Sequence, residues 1–105
     1  MAKTNTKEIL FYAKLIATAT RSTRIVLLST INSEQCEFLR QIFYNVLLNS
    51  SVSYSNKEKL YLRRNIKDIK LLASKRVCKK EKRKLFVKKQ AMVSRVCKII
   101  IKYLS

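Results

Sequence analysis

The stretch NSEQCEFLRQIFYNVLLNSS, residues 32–51, decides the fold. Its apolar residues recur at helical spacing, so they share one face of a helix. That face comprises Cys36, Leu39, Ile42, Phe43, Val46 and Leu47. Asn32 with Gln35, or Ser33 alone, caps the start of the helix, and the polar run at residues 49–51 ends it. We expect this most hydrophobic helix to form the centre of the core.

Composition extends the helical prediction to the whole chain. The 105 residues suffice for one domain with a modest core, and a hydrophobic content of 48% argues against a disordered basic tail. Gly and Pro are both absent, although tight β-hairpin turns depend on Gly. We therefore predict a single all-α domain, a small bundle of four to five helices. Residues 1–54 supply its apolar half and residues 55–105 a basic C-terminal helical hairpin.

Two shorter helices are predicted before the central one. Asn5, with Glu8 three residues later, has the pattern of a helix N-cap, and an amphipathic helix of about four turns follows. Its repeating residues are Ile9, Ala13, Ile16, Ala17 and Thr20. Residues 25–28 are apolar and partly β-branched, but a lone strand would have no partner. We interpret them as a second, short helix capped by Ser22.

Ser55 and Glu58 form a capping box that predicts a helix to about Ala73. One stripe of this helix is apolar and the stripe beside it is basic. The apolar stripe consists of Leu62, Ile66, Ile69 and Ala73, and the basic one of Lys59, Arg63, Lys67 and Lys70. More apolar residues lie on the far side: Leu60, Tyr61, Leu71 and Leu72. This helix is therefore either sandwiched within the bundle or shared with a second copy, which leaves a homo-oligomer open.

The last predicted helix covers residues 79–104, with Cys78 at the N-cap position and Glu81 as its partner three residues on. Its apolar side comprises Leu85, Met92, Val93, Val96, Ile100 and Tyr103. Lys79 and Lys82 interrupt that side in the first turn. We expect this turn to project beyond the core, into solvent or onto a ligand.

Positive charge is concentrated in the second half of the chain. The formal net charge is +18, and residues 56–105 hold 18 basic and 3 acidic side chains. The densest stretch is KRVCKKEKRKLFVKKQ, residues 75–90, with nine basic residues and one acidic residue. Such a field attracts polyanions, so the predicted partner is nucleic acid, and DNA in particular. The candidate binding residues are Lys59, Arg63, Arg64, Lys67, Lys70, Lys75, Arg76, Lys79, Lys80, Lys82, Arg83, Lys84, Lys88 and Lys89.

Other interpretations of the charge and the aromatic residues stay open. A basic run is often only a solvated helix face, and the amphipathic segment SRVCKIIIKYLS, residues 94–105, suits an anionic membrane surface if it does not pack on the preceding helices. A basic adaptor that binds an acidic capsid or host protein is a third alternative. Lys outnumbers Arg 16 to 8, which favours phosphate contact over base recognition. The tyrosines and phenylalanines can stack on bases, but most have the spacing of core residues.

Catalysis and metal binding have little support in the sequence. His is absent, no Gly-rich phosphate loop is present, and Glu34 and Glu37 are best interpreted as first-turn charges of a helix. Cys36, Cys78 and Cys97 lack metal-ligand spacing. We expect free thiols, no cofactor and no enzymatic activity.

Three segments resemble a family of small basic proteins encoded by Maverick/Polinton elements and adintoviruses, which have been likened to adenovirus minor core proteins. They are FYAKLIATATRSTRIVLLSTI, NVLLNSSVSYSNKEK and, most specifically, KLYLRRNIKDIKLLASKRVCKKEKRKLFVKKQ, together spanning residues 11–90. The family typically has Ser at the position of Cys78, and paired glycines with a small apolar tail where this chain has Lys89-Gln90-Ala91. The resemblance implies a protein that acts on packaged DNA in a virion or a host nucleus. Otherwise we expect an intracellular location.

Overall fold

The computed structural model describes residues 6–48 and 54–104, and every regular element in these ranges is an α-helix. The helices are α1 (Thr6–Thr18), α2 (Arg21–Ser29), α3 (Ser33–Leu48), α4 (Asn56–Arg64), α5 (Ile66–Ala73), α6 (Lys79–Lys88) and α7 (Gln90–Leu104). The all-α prediction is confirmed. The described ranges hold seven helices, more than the predicted four to five.

The core forms around α3, as predicted. Its inward face buries Cys36, Phe38, Leu39, Ile42, Phe43 and Val46. Helix α3 contacts α1, α5, α6 and α7, while the most extensive pairing in the fold is between α1 and α7. The rings of Phe43 and Phe86 stack at a centroid distance of 6.3 Å. One cluster of buried apolar residues draws on the helices of both halves of the chain.

The predicted helix starts agree with the structure in two cases and differ in one. Asn32 and Gln35 exchange hydrogen bonds, with the Gln35 amide N–H donating to Asn32 Oδ1 at 2.8 Å. Ser55 and Glu58 form the full capping box. Helix α2, however, is capped by Thr20, whose hydroxyl accepts from the Thr23 amide at 3.2 Å, and the Ser22 prediction is wrong. The predicted cap at Asn5 lies outside the described residues.

The predicted helix from Ser55 to Ala73 is broken in two at Asn65. The Asn65 side-chain amide donates to the Tyr61 carbonyl at 2.9 Å, and its backbone φ and ψ are −107° and 15°. A side chain that bonds a carbonyl one turn back competes with regular helix geometry. The break separates the exposed, basic end of α4 from α5, which packs on α3.

A second break, at Lys89, divides the predicted C-terminal helix into α6 and α7. The bend lets α6 pack on α2 and α7 pack on α1. The predicted helical hairpin is not confirmed, because the basic helices have their extensive contacts with the N-terminal half. Cys78 does occupy the N-cap position of α6, but its side chain makes no capping hydrogen bond.

Arg24 joins three helices near the Lys89 bend. Its guanidinium donates to the carbonyls of Ile16 at 3.3 Å and Ala19 at 2.8 Å, and also to the side-chain oxygen of Gln90. The last carbonyls of a helix have no partner within it. Arg24 therefore completes the end of α1 and links it to the start of α7.

Candidate nucleic-acid interface

Most of the predicted nucleic-acid-binding residues are exposed. Ten of the fourteen are open to solvent: Lys59, Arg63, Arg64, Lys67, Lys70, Lys75, Arg76, Lys80, Lys84 and Lys88. Lys79, Arg83 and Lys89 are half-buried. Lys82 is buried and is only 4% exposed.

Lys84 and Lys88 lie on the solvent side of α6, between two shallow clefts. The cleft on one side is bordered by Leu71 of α5, and the cleft on the other by Ser29 of α2. Both lysines line both clefts. The two side chains therefore form a basic ridge along α6.

An ion pair connects this part of the surface to α5. Lys89 Nζ lies 3.7 Å from Asp68 Oδ2, so the start of α5 is held against the junction of α6 and α7. The exposed lysines of α5, Lys67 and Lys70, flank Asp68 in sequence. The structure thus brings part of the α5 stripe close to the end of α6.

The α4 cations border a separate apolar cleft. Lys59 and Arg63 line a depression of about 310 Å³ together with Leu62, Ile66 and Ile69. Within the predicted apolar stripe of this segment, Leu62 and Ile69 are buried and Ile66 is half-buried. Its basic neighbours stand at the rim, where their charged ends reach solvent.

Two of the half-buried candidates contact the N-terminal half instead of standing free. Lys79 Nζ donates to Ser33 Oγ at 3.3 Å, and Arg83 Nη2 donates to the Ile31 carbonyl at 3.4 Å. Arg83 Nε is buried without a hydrogen-bond partner in the described part of the chain. These residues hold α6 against the α2–α3 connection as well as adding charge.

The prediction that the first turn of α6 projects beyond the core is wrong for Lys82. The apolar side of α6 packs against α2 and α3. Lys82 lies on that side of the helix and is therefore buried. Burial lowers the pKa of Lys82 below its ordinary value, because a charged amine loses hydration there. Lys82 therefore leaves the set of surface cations.

Beside Lys82, Arg40 and Glu37 form an ion pair at the edge of the core. Arg40 is buried and holds both Glu37 oxygens in a fork at 2.8 Å each. Arg40 also donates to the Ala73 carbonyl at the end of α5, at 3.3 Å. The hydrogen bonds from Arg40, joined by one from Gln41, lower the pKa of Glu37 to about 2. Glu37 is thus a partner of Arg40, and its prediction as a first-turn charge is wrong, because the acidic residue in the first turn of α3 is Glu34.

Acidic side chains neutralise few of the candidate cations. Ion pairs in the described residues join Glu37 to Arg40, Asp68 to Lys89 and Glu58 to Lys102. Lys89 is the one candidate among these partners. The ten exposed candidates have no ion pair in the described part of the chain, so their charge faces solvent.

The aromatic residues mostly pack in the core, as the spacing predicts. Tyr12, Phe38, Phe43, Tyr54 and Phe86 are buried. Phe11 and Tyr44 are exposed, but both belong to helices of the N-terminal half. Among the described residues, no exposed aromatic ring lines the two clefts beside the basic ridge.

The apolar side of α7 is buried in the bundle. Val93, Val96 and Ile100 are each at most 1% exposed, and the helix packs on α1. The described helices include none long and apolar enough to cross a membrane. Nor do the described residues contain a cluster of potential metal ligands.

Comparisons with protein-family models, curated proteins and solved structures found no significant match to this chain.

Proposed function

We propose that this protein binds the phosphate backbone of DNA through its exposed α4–α6 cations, with little base preference. The observation that carries the proposal is the set of ten exposed basic side chains without ion pairs in the described residues. Each cation that meets a phosphate releases condensed counterions, and this release drives binding. The predominance of Lys supports backbone contact, since bidentate recognition of guanine favours Arg.

The basic ridge of Lys84 and Lys88 is the centre of the proposed interface. Helix α6 is held rigidly there by contacts with α2 and α3, so its charges are presented at fixed spacing. A helix already docked on the bundle loses less backbone freedom on binding than a flexible tail does. The exposed cations of α4 and α5 extend the array toward a second segment of the backbone.

The biological setting that we propose is condensation of packaged DNA. This part of the proposal rests on the resemblance of residues 11–90 to the Polinton and adintovirus basic proteins, and it would place the protein in a virion or a host nucleus. A capsid protein is then a further expected partner. The membrane alternative has weaker support, because the apolar side of α7 that it requires faces α1.

The test is binding to two DNA duplexes of unrelated sequence across a salt series. We expect affinities within a few-fold of each other and a log–log salt dependence of about 0.9 per phosphate contacted. Anionic and neutral vesicles serve as the parallel arm. Weak, salt-insensitive DNA binding combined with tight vesicle binding would contradict the proposal. Binding to neither would favour the basic adaptor.

A further inference from the structure

A small cleft lies between the first turns of α3 and α6, away from the basic ridge. Its volume is about 200 Å³, and its lining comprises Ser33, Cys36, Glu37, Arg40, Lys75, Val77, Lys79 and Lys82. Four of these side chains are cations and one is a carboxylate. The cleft is too small for a nucleotide, since ligand pockets of that class begin at about 300 Å³, but it has room for one small anion.

Lys82 makes this cleft unusual. The side chain is only 4% exposed, and it has neither an ion pair nor a side-chain hydrogen bond in the described part of the chain. Its remaining accessible surface faces the cleft that it lines. Burial of most of the side chain leaves its ammonium group poorly hydrated, so an anion in the cleft would gain a cation that lacks an acidic partner.

The single carboxylate in the lining makes no ion pair with Lys82 and acts on it only from a distance. Both oxygens of Glu37 are occupied by Arg40, and Oε2 also accepts from Gln41 at 3.0 Å. Lys75 is exposed at the rim, and Lys79 is half-buried and donates to Ser33 at 3.3 Å. Three lysines therefore line the cleft without an ion pair to any acidic side chain in the described ranges.

The backbone also contributes positive electrostatic potential to the cleft. The first turns of α3 and α6 both border the cleft, and the N-terminal end of a helix carries partial positive charge. Helix α6 has ten residues, and its N-cap, Cys78, provides no side-chain acceptor for the first-turn amides. An anion at this end can accept hydrogen bonds from amides as well as from lysines.

We propose that this cleft between α3 and α6 is a binding site for one phosphate group. Inorganic phosphate and the terminal phosphate of a nucleic acid offer the same chemistry, namely a compact dianion with several acceptor oxygens. The nucleic-acid source rests on the proposed function, because the surface cations would bring the phosphate in. Lys82 is the central ligand, and Lys75 and Lys79 close the rim.

The first experiment follows thermal unfolding of the full chain with inorganic phosphate, at constant ionic strength set by chloride. Phosphate at roughly ten times its dissociation constant should raise the unfolding midpoint by about 5–10 °C. Lys82→Met should abolish that rise and, without phosphate, unfold at a higher temperature than the wild type, because it removes an unpaired buried charge. Lys98→Met, which changes an exposed lysine of α7, should keep the rise.

A second variant guards against a folding defect. Lys75→Gln combined with Lys79→Gln leaves Lys82 in place and should reduce the phosphate-dependent rise to less than half. The absence of any rise in the wild type would overturn the proposal. An equal rise in the wild type and in Lys82→Met would overturn it as well.

A pair of short duplexes, one with a 5′-phosphate and one with a 5′-hydroxyl, separates the two sources. A tenfold preference for the phosphorylated end that Lys82→Met removes assigns the cleft to a DNA terminus. Equal affinity for the two duplexes, together with the thermal rise, assigns it to free phosphate. Salt-dependent DNA binding without any phosphate effect would refute the cleft and leave the proposed function standing. A phosphate-dependent rise in the unfolding midpoint without salt-dependent DNA binding would refute the proposed function alone.

Discussion

The hydroxyl of Tyr103 donates a 2.7 Å hydrogen bond to Oε1 of Glu58, so the end of α7 is joined to the first turn of α4. The same carboxylate accepts from the Ser55 amide at 2.9 Å and lies 3.5 Å from Lys102 Nζ. The Tyr103 ring also meets Tyr54 edge-on at a centroid distance of 4.9 Å. Glu58 is therefore a cap, an ion-pair partner and an interhelix contact at once.

This arrangement predicts a loss of stability in acid. Burial raises the pKa of Glu58, but the hydrogen bonds from Tyr103 and Ser55 and the charge of Lys102 outweigh it and bring the pKa to about 2. The pKa of Glu37 is also lowered, from 4.5 to about 2. The unfolded chain takes up these protons near pH 4.5 and the folded chain only near pH 2, so their stabilisation is complete above pH 4.5 and disappears toward pH 2.

Urea unfolding at a series of pH values measures this effect. We expect each carboxylate to contribute about 1 kcal/mol, because solvent screening reduces the full effect. The double variant Glu37→Gln, Glu58→Gln should be less stable at pH 7 and show a flatter dependence between pH 4.5 and 2. Glu34→Gln, at an exposed position of α3, should retain the wild-type dependence. An unchanged slope in the double variant would refute this assignment.

Arg24→Met should destabilise the fold although Arg24 lies outside the proposed interface. The substitution keeps an apolar stem but leaves the Ile16 and Ala19 carbonyls and Gln90 without their donor. Hydrogen bonds from a charged donor at a part-buried site predict a loss of about 2–3 kcal/mol in the free energy of unfolding. The matched change at exposed Arg21 should cost less than about 0.5 kcal/mol. Equal losses in the two variants would contradict the role of Arg24.

The three thiols should differ sharply in reactivity. Cys78 is exposed, whereas Cys36 and Cys97 are buried. Burial raises the pKa of Cys97 to about 12, and a thiol in that state is a poor nucleophile. Alkylation of the native protein, followed by mass spectrometry, should modify one thiol rapidly and all three after denaturation. Rapid modification of two or three thiols in the native state would refute the burial of Cys36 and Cys97.

The sequence was most informative where apolar periodicity and capping chemistry agreed. Cys36, Leu39 and Phe43 lie in the core as their spacing predicts, and the Ser55–Glu58 box begins a helix as its pattern predicts. Both signals are local, because a helix brings residues three and four apart onto one face. The exposed state of ten of the candidate cations also follows from the cost of burying an unpaired charge.

The sequence could not predict features that depend on contacts between distant segments. The helical spacing of the apolar residues continues across Asn65 and Lys89. The sequence therefore contains no sign of the two helix breaks. Lysine side chains usually favour solvent. Lys82 is buried because it lies on the apolar side of α6, which packs on α3. The Arg24–Gln90 contact spans 66 residues, and no local pattern reports such a pairing.

The most direct test of the account compares two triple variants that lose the same charge. Lys80→Gln, Lys84→Gln and Lys88→Gln remove exposed cations from α6, whereas the control removes exposed cations from α1, α2 and α7. The control substitutions are Lys14→Gln, Arg21→Gln and Lys98→Gln.

Binding to a random-sequence duplex is measured for both across a salt series. For the α6 variant, we predict that the slope of log binding constant against log salt concentration becomes shallower by about 2–3 and that much of the affinity is lost. The slope and the affinity of the control should stay near those of the wild type. Equal losses in the two variants would mean that net charge alone attracts DNA, and this result would contradict a defined interface on α6.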